Sequence, residues 1–178
     1  MVRRDVMKSV DDLTKKEIVD LLGRCWMTHD GMWFYHTMQA FGIDEANRLN
    51  KAAIAMLAPM EIGRMKKVFG LKKEKIETFA ELVEFFERAS ALFVPDFMNA
   101  TFSFPRPNTF RWEFKPKSCF AYKGISRIGI IEQYECGVIY RVLCWLSALG
   151  IEYKAPEVSR CRMIDSETCT GEVEVELP

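Results

Sequence analysis

The chain has 178 residues and a mass of 20.7 kDa, and its 25 Lys and Arg residues balance 25 Asp and Glu residues. A hydrophobic content of 49% excludes a disordered chain, and the length predicts one domain over residues 1–178. The zero net charge argues against a nucleic-acid partner, and no segment has the roughly 20 apolar residues of a membrane span. Because the N-terminal residues turn polar at once, we expect a cytoplasmic protein whose six cysteines are thiols, metal ligands or catalytic groups.

The first part of the chain, residues 11–93, has the spacing of helices. Thr14–Glu17 and Thr78–Glu81 have the spacing of capping boxes, in which a hydroxyl and a carboxylate satisfy free amide groups at a helix start. Apolar residues follow each box at the helical period. Asp30–Gly31 predicts a kink or break in the first helix, and Pro59 predicts a kink or division in a later one.

The second part, residues 96–178, mixes strand and helix patterns. Thr101–Phe104 and Phe110–Phe114 alternate between polar and apolar residues, which predicts two strands joined by a proline-containing loop. A helical period returns from about Gln133 to Leu149. Helices followed by an antiparallel sheet, with one long helix packed on it, predict an α+β fold.

Five of the six cysteines lie in the last 60 residues; the six are Cys25, Cys119, Cys136, Cys144, Cys161 and Cys169. Val158–Ile164 and Glu172–Leu177 predict a hairpin turning near Asp165, which would place Cys161 and Cys169 opposite each other. A structural zinc site needs four ligands, and Cys119 and Cys136 are candidates for the other two. The prediction is a zinc or iron site. The alternative is a set of separate buried thiols, because no CxxC pair is present.

A second cluster surrounds the only two histidines. A carboxylate beside an imidazole is typical of a general base or a metal site, so His29 and Asp30 are candidate catalytic residues. If the helix persists, His36 shares the face of His29, because the two are seven residues apart. His36 and the neighbouring aromatic residues Trp33 and Phe34 are therefore candidates for ligand binding. Cys25, one turn before His29, would share that face. The alternative is an interhelical turn in which Asp30 is a helix cap and Trp33 and Phe34 belong to the core.

Several of these segments resemble a family of uncharacterised bacterial and archaeal cytosolic proteins. They are the His29–Phe34 motif, Phe41–Ile43 and Ala46 in the first part, and Cys119, Lys123–Ile125, Glu135–Cys136 and the Cys161 to Cys169 segment in the second. The terminal Cys…Asp…Cys segment is similar to that of vinyl-reductase-type small-molecule-binding domains, which implies an α+β ligand-binding domain that can carry a metal. The layout more distantly resembles aminothiazoline-carboxylate hydrolase-like proteins, which implies hydrolysis of a small C–N compound.

Three functional hypotheses follow. The first is a small-molecule-binding protein with a metal held by the four cysteines, and the second is a hydrolase that uses His29 or Asp30 as a base. No GxSxG elbow, phosphate-binding loop or HExxH motif supports the hydrolase. The third is a homodimeric interaction module that associates through an aromatic helix face. The basic cluster from Arg64 to Lys75 is interpreted as a solvated helix end.

Overall fold

The computed structural model describes residues 7–178 and has the predicted α+β architecture. Its elements are α1 (Lys15–Phe41), α2 (Ile43–Phe69), α3 (Phe79–Phe93), β1 (Ala100–Arg106), β2 (Thr109–Phe114), α4 (Phe120–Arg127), α5 (Gly137–Ala148), β3 (Tyr153–Lys154) and β4 (Cys169–Val175). The four strands form one antiparallel sheet in the order β1-β2-β4-β3. Between residues 7 and 178, no helix combines the length and the apolar character that crossing a membrane requires.

Two long helices form the first half. α1 begins with the predicted capping box, in which the Thr14 hydroxyl accepts from the Glu17 N–H at 3.2 Å. The helix continues through Gly31, so the predicted break is wrong; a glycine costs only about 1 kcal/mol, and α1 retains its packing against α2. α2 likewise continues through Pro59 as one helix, flanked by the buried Ala58 and Ile62. Gly42 joins the two helices with a φ of 86°, in the region that favours glycine.

α3 covers the sheet with aromatic side chains. Phe86 lies 4.9 Å from Phe110 of β2 and 6.3 Å from Phe104 of β1, measured between ring centroids. Phe110, Trp112 and Phe114 of β2 are all completely or nearly completely buried. Both predicted strands are confirmed. α3 and the inner strand β2 thus form one part of the core, which also includes buried residues of α2 and α5.

α5 lies along α2 and is fixed by a buried ion pair. The Glu61 carboxylate accepts from Arg141 Nε at 3.0 Å, from a second Arg141 nitrogen, and from the Trp145 indole N–H at 2.7 Å. Before α5, the Asn47 side-chain amide donates to the Gln133 carbonyl at 2.8 Å. Its oxygen accepts from the Glu135 backbone N–H at 3.1 Å. These bonds fix the segment before α5 against α2.

The predicted hairpin over 158–177 is wrong. Residues 155–168 contain no helix or strand, and β4 pairs with β2 on one side and β3 on the other. Tyr153 of β3 pairs with Val175, so β3 occupies the edge of β4 with which a hairpin strand would have paired. The segment instead turns back on itself, because the Ser166 hydroxyl bonds the carbonyls of Arg162 and Thr168 at 3.2 and 2.6 Å.

Candidate functional site

Four of the six cysteines line one small cavity between the sheet, α4 and α5. Cys119, Cys136, Cys161 and Cys169 are each 7–9% exposed, and the cavity volume is about 20 Å³. The remaining lining residues are Phe114, Val138, Ile139, Val158, Arg160, Arg162 and Met163. A single water molecule needs about 10–15 Å³ of such volume, so the cavity has room for one atom-sized species. It is too small for an organic ligand.

Two of the thiols lie at helix starts. Cys119 is the N-cap residue of α4 and Cys136 is that of α5. The N-cap position places a side-chain acceptor beside the free N–H groups of the first turn, where the helix dipole favours negative charge. Burial raises the pKa of Cys119 to about 12, while the nearby backbone N–H groups of Tyr122 and Ala121 oppose that rise. Burial also raises the pKa of Cys136, and the N–H of Ile139 opposes it.

The other two thiols face N–H groups from different sources. Cys161 precedes the turn at residues 162–165; burial raises its pKa, and the Met163 backbone N–H opposes the rise. Cys169 is the first residue of β4 and lies opposite Phe114. Burial raises the pKa of Cys169 as well, and the opposing donor is the Trp112 indole. Each of the four thiols therefore has a nearby N–H group that favours its thiolate form, although burial has the larger effect on the pKa.

The Trp112 donor has no complete hydrogen bond. Its indole nitrogen is buried and has no partner at hydrogen-bond geometry in the described part of the chain. The ring is positioned by Gly171, its partner across the strand pair. A Cβ atom at Gly171 would lie 2.1 Å from Trp112 Cζ2, so no other residue leaves room for the ring. The glycine thus orients an unsatisfied N–H toward Cys169.

Two arginines add positive charge at the cavity. Arg162 lowers the pKa of Cys136 and Cys169, and Arg160 lowers that of Cys161, each against the larger effect of burial. Arg160 also bonds Asp165 at 3.1 Å. Arg162 bonds the Thr170 carbonyl at 2.9 Å, packs over Trp112, and makes no salt bridge with any carboxylate among residues 7–178. A negatively charged centre here would meet an arginine that no carboxylate neutralises.

All six cysteines are free thiols. In the described residues, no three His, Cys, Asp or Glu side chains stand at the mutual spacing of a bound metal ion. The four cysteines line one cavity, but in the described residues they do not lie at the mutual spacing of metal ligands. Cys144 lies apart from them, half-buried on α5.

The second predicted cluster lies on the surface of α1. His29 Nε2 accepts from the Trp33 indole N–H at 3.1 Å, and His29 Nδ1 lies 4.0 Å from Asp30 Oδ1. Their side chains are well exposed, with 68% for His29 and 64% for Trp33. Cys25 and His36 are exposed as well. Phe34 instead points into the core, where its ring packs edge-on against Tyr134.

Asp30 differs from its neighbours because it lies near the buried ion pair. Partial burial raises the pKa of Asp30, the charges of Arg141 and His29 lower it, and the charge of Glu61 raises it again. Asp30 does not cap a helix, because α1 continues past it. Its catalytic role, like that of His29, stays a prediction.

Three residues that support the cavity were not predicted from the sequence: Arg162, which lines it, and Trp112 and Gly171, which lie beside Cys169. The cavity itself has a local signal in the sequence. Cys119 and Cys136 each directly precede a helix, and cysteine is not among the residues preferred at the N-cap position. The Trp112–Gly171 contact joins residues that are distant along the chain, and it has no local sequence signature.

Comparison with known proteins covers the helical half alone. Residues 9–92 match a family of unknown function, DUF6125. The matched segment includes the His29–Phe34 motif and ends before β1, so none of the four cavity cysteines lies in it. No curated protein and no solved structure matches the chain.

Proposed function

We propose that the protein binds one zinc or iron ion through Cys119, Cys136, Cys161 and Cys169. The observation that carries this proposal is a single atom-sized cavity lined by four cysteines from four chain segments. Thiolates are the ligands that zinc and iron–sulfur sites prefer, and four of them complete a tetrahedral shell. Because the described residues show no group at the spacing of metal ligands, binding requires the four Sγ atoms to move closer together.

The donors around the cavity support an anionic centre. Four thiolates and one divalent ion carry a net charge of about −2, which is costly to bury without compensation. N–H groups at the starts of α4 and α5, the Met163 N–H and the Trp112 indole are placed to share that charge. Arg162 adds a full positive charge. Such second-shell groups commonly fix and tune metal-bound ligands.

The metal would serve mainly to fix an irregular segment. Residues 155–168 connect β3 to β4 without regular structure, whereas most connections have about 4–6 residues. Cys161 lies in this segment, while the other three ligands lie at the ends of α4, α5 and β4. Structural zinc contributes about 10–16 kcal/mol in small peptides, but a chain of this size reaches its usual 5–15 kcal/mol through its core. We therefore expect the metal to order this segment rather than the whole fold.

The test is metal analysis of the untagged protein and six single variants. The wild type should carry about one zinc or iron per chain. Serine at Cys119, Cys136, Cys161 or Cys169 should lower the metal content, because serine supplies no thiolate. The matched controls are Cys25→Ser and Cys144→Ser, which lie outside the cavity and should retain the wild-type content. A folded wild-type protein without metal, with all six thiols reactive after unfolding, would refute the proposal.

We propose homodimerisation through α1 as a second candidate function. Five apolar side chains of this helix are 51–70% exposed, namely Leu21, Leu22, Met32, Trp33 and Phe41. Exposed apolar surface of this kind is typical of interaction sites. Light scattering should give a dimer for the wild type and a monomer for Trp33→Lys. A wild-type monomer at high concentration would refute this candidate.

A further inference from the structure

A groove runs between α3 and the free edge of the sheet. Its volume is about 480 Å³, within the range of about 300–1,000 Å³ that is common for ligand sites. It is lined by Val83, Phe86 and Ser90 from α3 and by Ala100, Phe102 and Phe104 from β1. Phe102 and Phe104 are only half-buried there, although Phe86 behind them is 2% exposed.

The backbone of β1 offers unpaired hydrogen-bonding groups at this groove. β1 is an edge strand whose only partner in the described sheet is β2. The Lys115 N–H donates to the Asn99 carbonyl at 3.1 Å, and in an antiparallel pair such bonded residues alternate along the strand. Thr101 and Ser103 therefore bond β2, whereas the N–H and C=O groups of Ala100 and Phe102 point away from it.

We propose that this groove binds an extended peptide segment of another protein, which adds to β1 as a further strand. Unpaired strand edges are complemented by another strand backbone, and peptide-binding domains use this mode of recognition. Alternate side chains of the peptide would cover Phe102 and Phe104 and pack against α3. β1 contains no lysine to discourage such pairing, and Pro105 lies beyond the free groups of Ala100 and Phe102.

Charge indicates the composition of the peptide. Glu87 is the only ionisable residue that lines the groove, and it makes no salt bridge within residues 7–178. Its neighbour Glu84 is already paired with Arg88 at 2.5 Å. A lysine or arginine on the peptide would therefore find an unpaired carboxylate. We infer a peptide with alternating apolar residues and at least one basic residue.

A second copy of the chain fits this edge less well. Two copies that pair antiparallel through β1 are related by a two-fold axis perpendicular to the sheet. That symmetry places both α3 helices on the same face of the joined sheet. Each α3 would then approach the groove that the other chain has to enter.

The test uses the full chain and two synthetic probes, a short peptide of alternating valine and lysine and one of alternating valine and glutamate. Fluorescence anisotropy should show binding of the lysine peptide. Ala100→Pro should weaken binding about tenfold, because it removes one outward N–H at a strand start where proline is tolerated. Glu87→Lys should exchange the preference in favour of the glutamate peptide. Glu84→Lys, on the same helix but outside the groove lining, should not exchange it.

Three results would overturn the proposal. One is the absence of binding by either peptide to the folded wild-type protein. Another is equal binding of the lysine peptide after its backbone nitrogens are methylated, since that modification removes the donors that a strand must supply. The third is a wild-type dimer that Ala100→Pro dissociates, which would assign the edge to a second copy. Thermal unfolding of Ala100→Pro with an unchanged midpoint establishes that its binding loss is local.

Discussion

The buried Glu61–Arg141 ion pair gives the sharpest stability prediction. Glu61→Ala removes the acceptor of three hydrogen bonds, two from Arg141 and one from the Trp145 indole. The Arg141 side chain is 19% exposed and the Glu61 side chain 4%, so the arginine is left largely buried without its partner. Breaking a buried pair from one side costs about 3–5 kcal/mol. That is about a fifth or more of the stability of a typical domain, which is about 5–15 kcal/mol.

The assay is urea unfolding followed by circular dichroism, with Glu84→Ala as the matched control. Glu84 pairs with Arg88 within α3, and both side chains are more than half exposed. Such an exposed pair contributes about 0.3–0.5 kcal/mol. The two substitutions are identical, so their difference reports the burial of the Glu61–Arg141 pair together with the loss of the Trp145 hydrogen bond.

A double variant separates the cost of the unpaired arginine from the worth of the pair. The double variant Glu61→Met and Arg141→Leu removes both charges. We expect it to be less destabilised than Glu61→Ala alone. If Glu61→Ala lowers the free energy of unfolding no more than Glu84→Ala does, water replaces the Glu61 carboxylate as the partner of Arg141. The description of a buried, dehydrated pair would then be wrong.

Three further predictions concern other positions. Gly171→Ala should destabilise the protein by about 1–3 kcal/mol, because its Cβ atom would overlap the Trp112 ring; Gly63→Ala, on an open helix surface, should instead stabilise it by about 0.5–1 kcal/mol in the same unfolding assay. A hydrogen bond from the N-cap backbone lowers the pKa of Glu17, so its contribution is present above the unfolded pKa of about 4.3 and is lost as pH falls through the folded pKa. Acid titration of Glu17→Gln should therefore show a smaller loss of stability than the wild type. Brief maleimide labelling of the native protein should modify Cys25 first, as mass spectrometry of its peptides can show, because the cavity thiols are buried.

Local signals in the sequence were sufficient for most of the helices and for the first two strands. The Thr14 box forms in full, since all of its groups lie within one turn. The Thr78 box forms in part: its hydroxyl accepts from the Glu81 N–H, but the Glu81 carboxylate bonds the Glu77 N–H and Lys73 instead. A competing partner just outside the motif changes the outcome.

Long-range competition explains the errors. The alternation at Val158–Ile164 suits a strand, but β3 already pairs with the free edge of β4, and side-chain bonds from Ser166 favour a turn. The sequence of Val158–Ile164 contains no information about which strand pairs with the edge of β4. Similarly, Gly31 and Pro59 disfavour helix locally, whereas packing along two long helices retains it.

The cavity likewise combines features that local sequence indicates with contacts that depend on distant parts of the chain. Sequence spacing drew attention to Cys161 and Cys169 as neighbours across a hairpin, yet they reach the cavity from an irregular segment and a strand start. The helical period from about Gln133 indicated a helix near Cys136, whereas the sequence did not indicate that a helix begins after Cys119. The placement of Trp112 against Gly171 depends on strand register. Chemistry-bearing residues could be selected from the sequence, while the groups that support them could not.

X-ray absorption at the metal edge of the untagged protein tests the central proposal most directly. The account predicts about one ion per chain surrounded by four sulfur atoms, at about 2.3 Å if the metal is zinc. The Cys169→Ser variant should lose one sulfur from that shell or lose the ion. A shell of nitrogen and oxygen atoms, or a folded protein that takes up no zinc or iron, would contradict it.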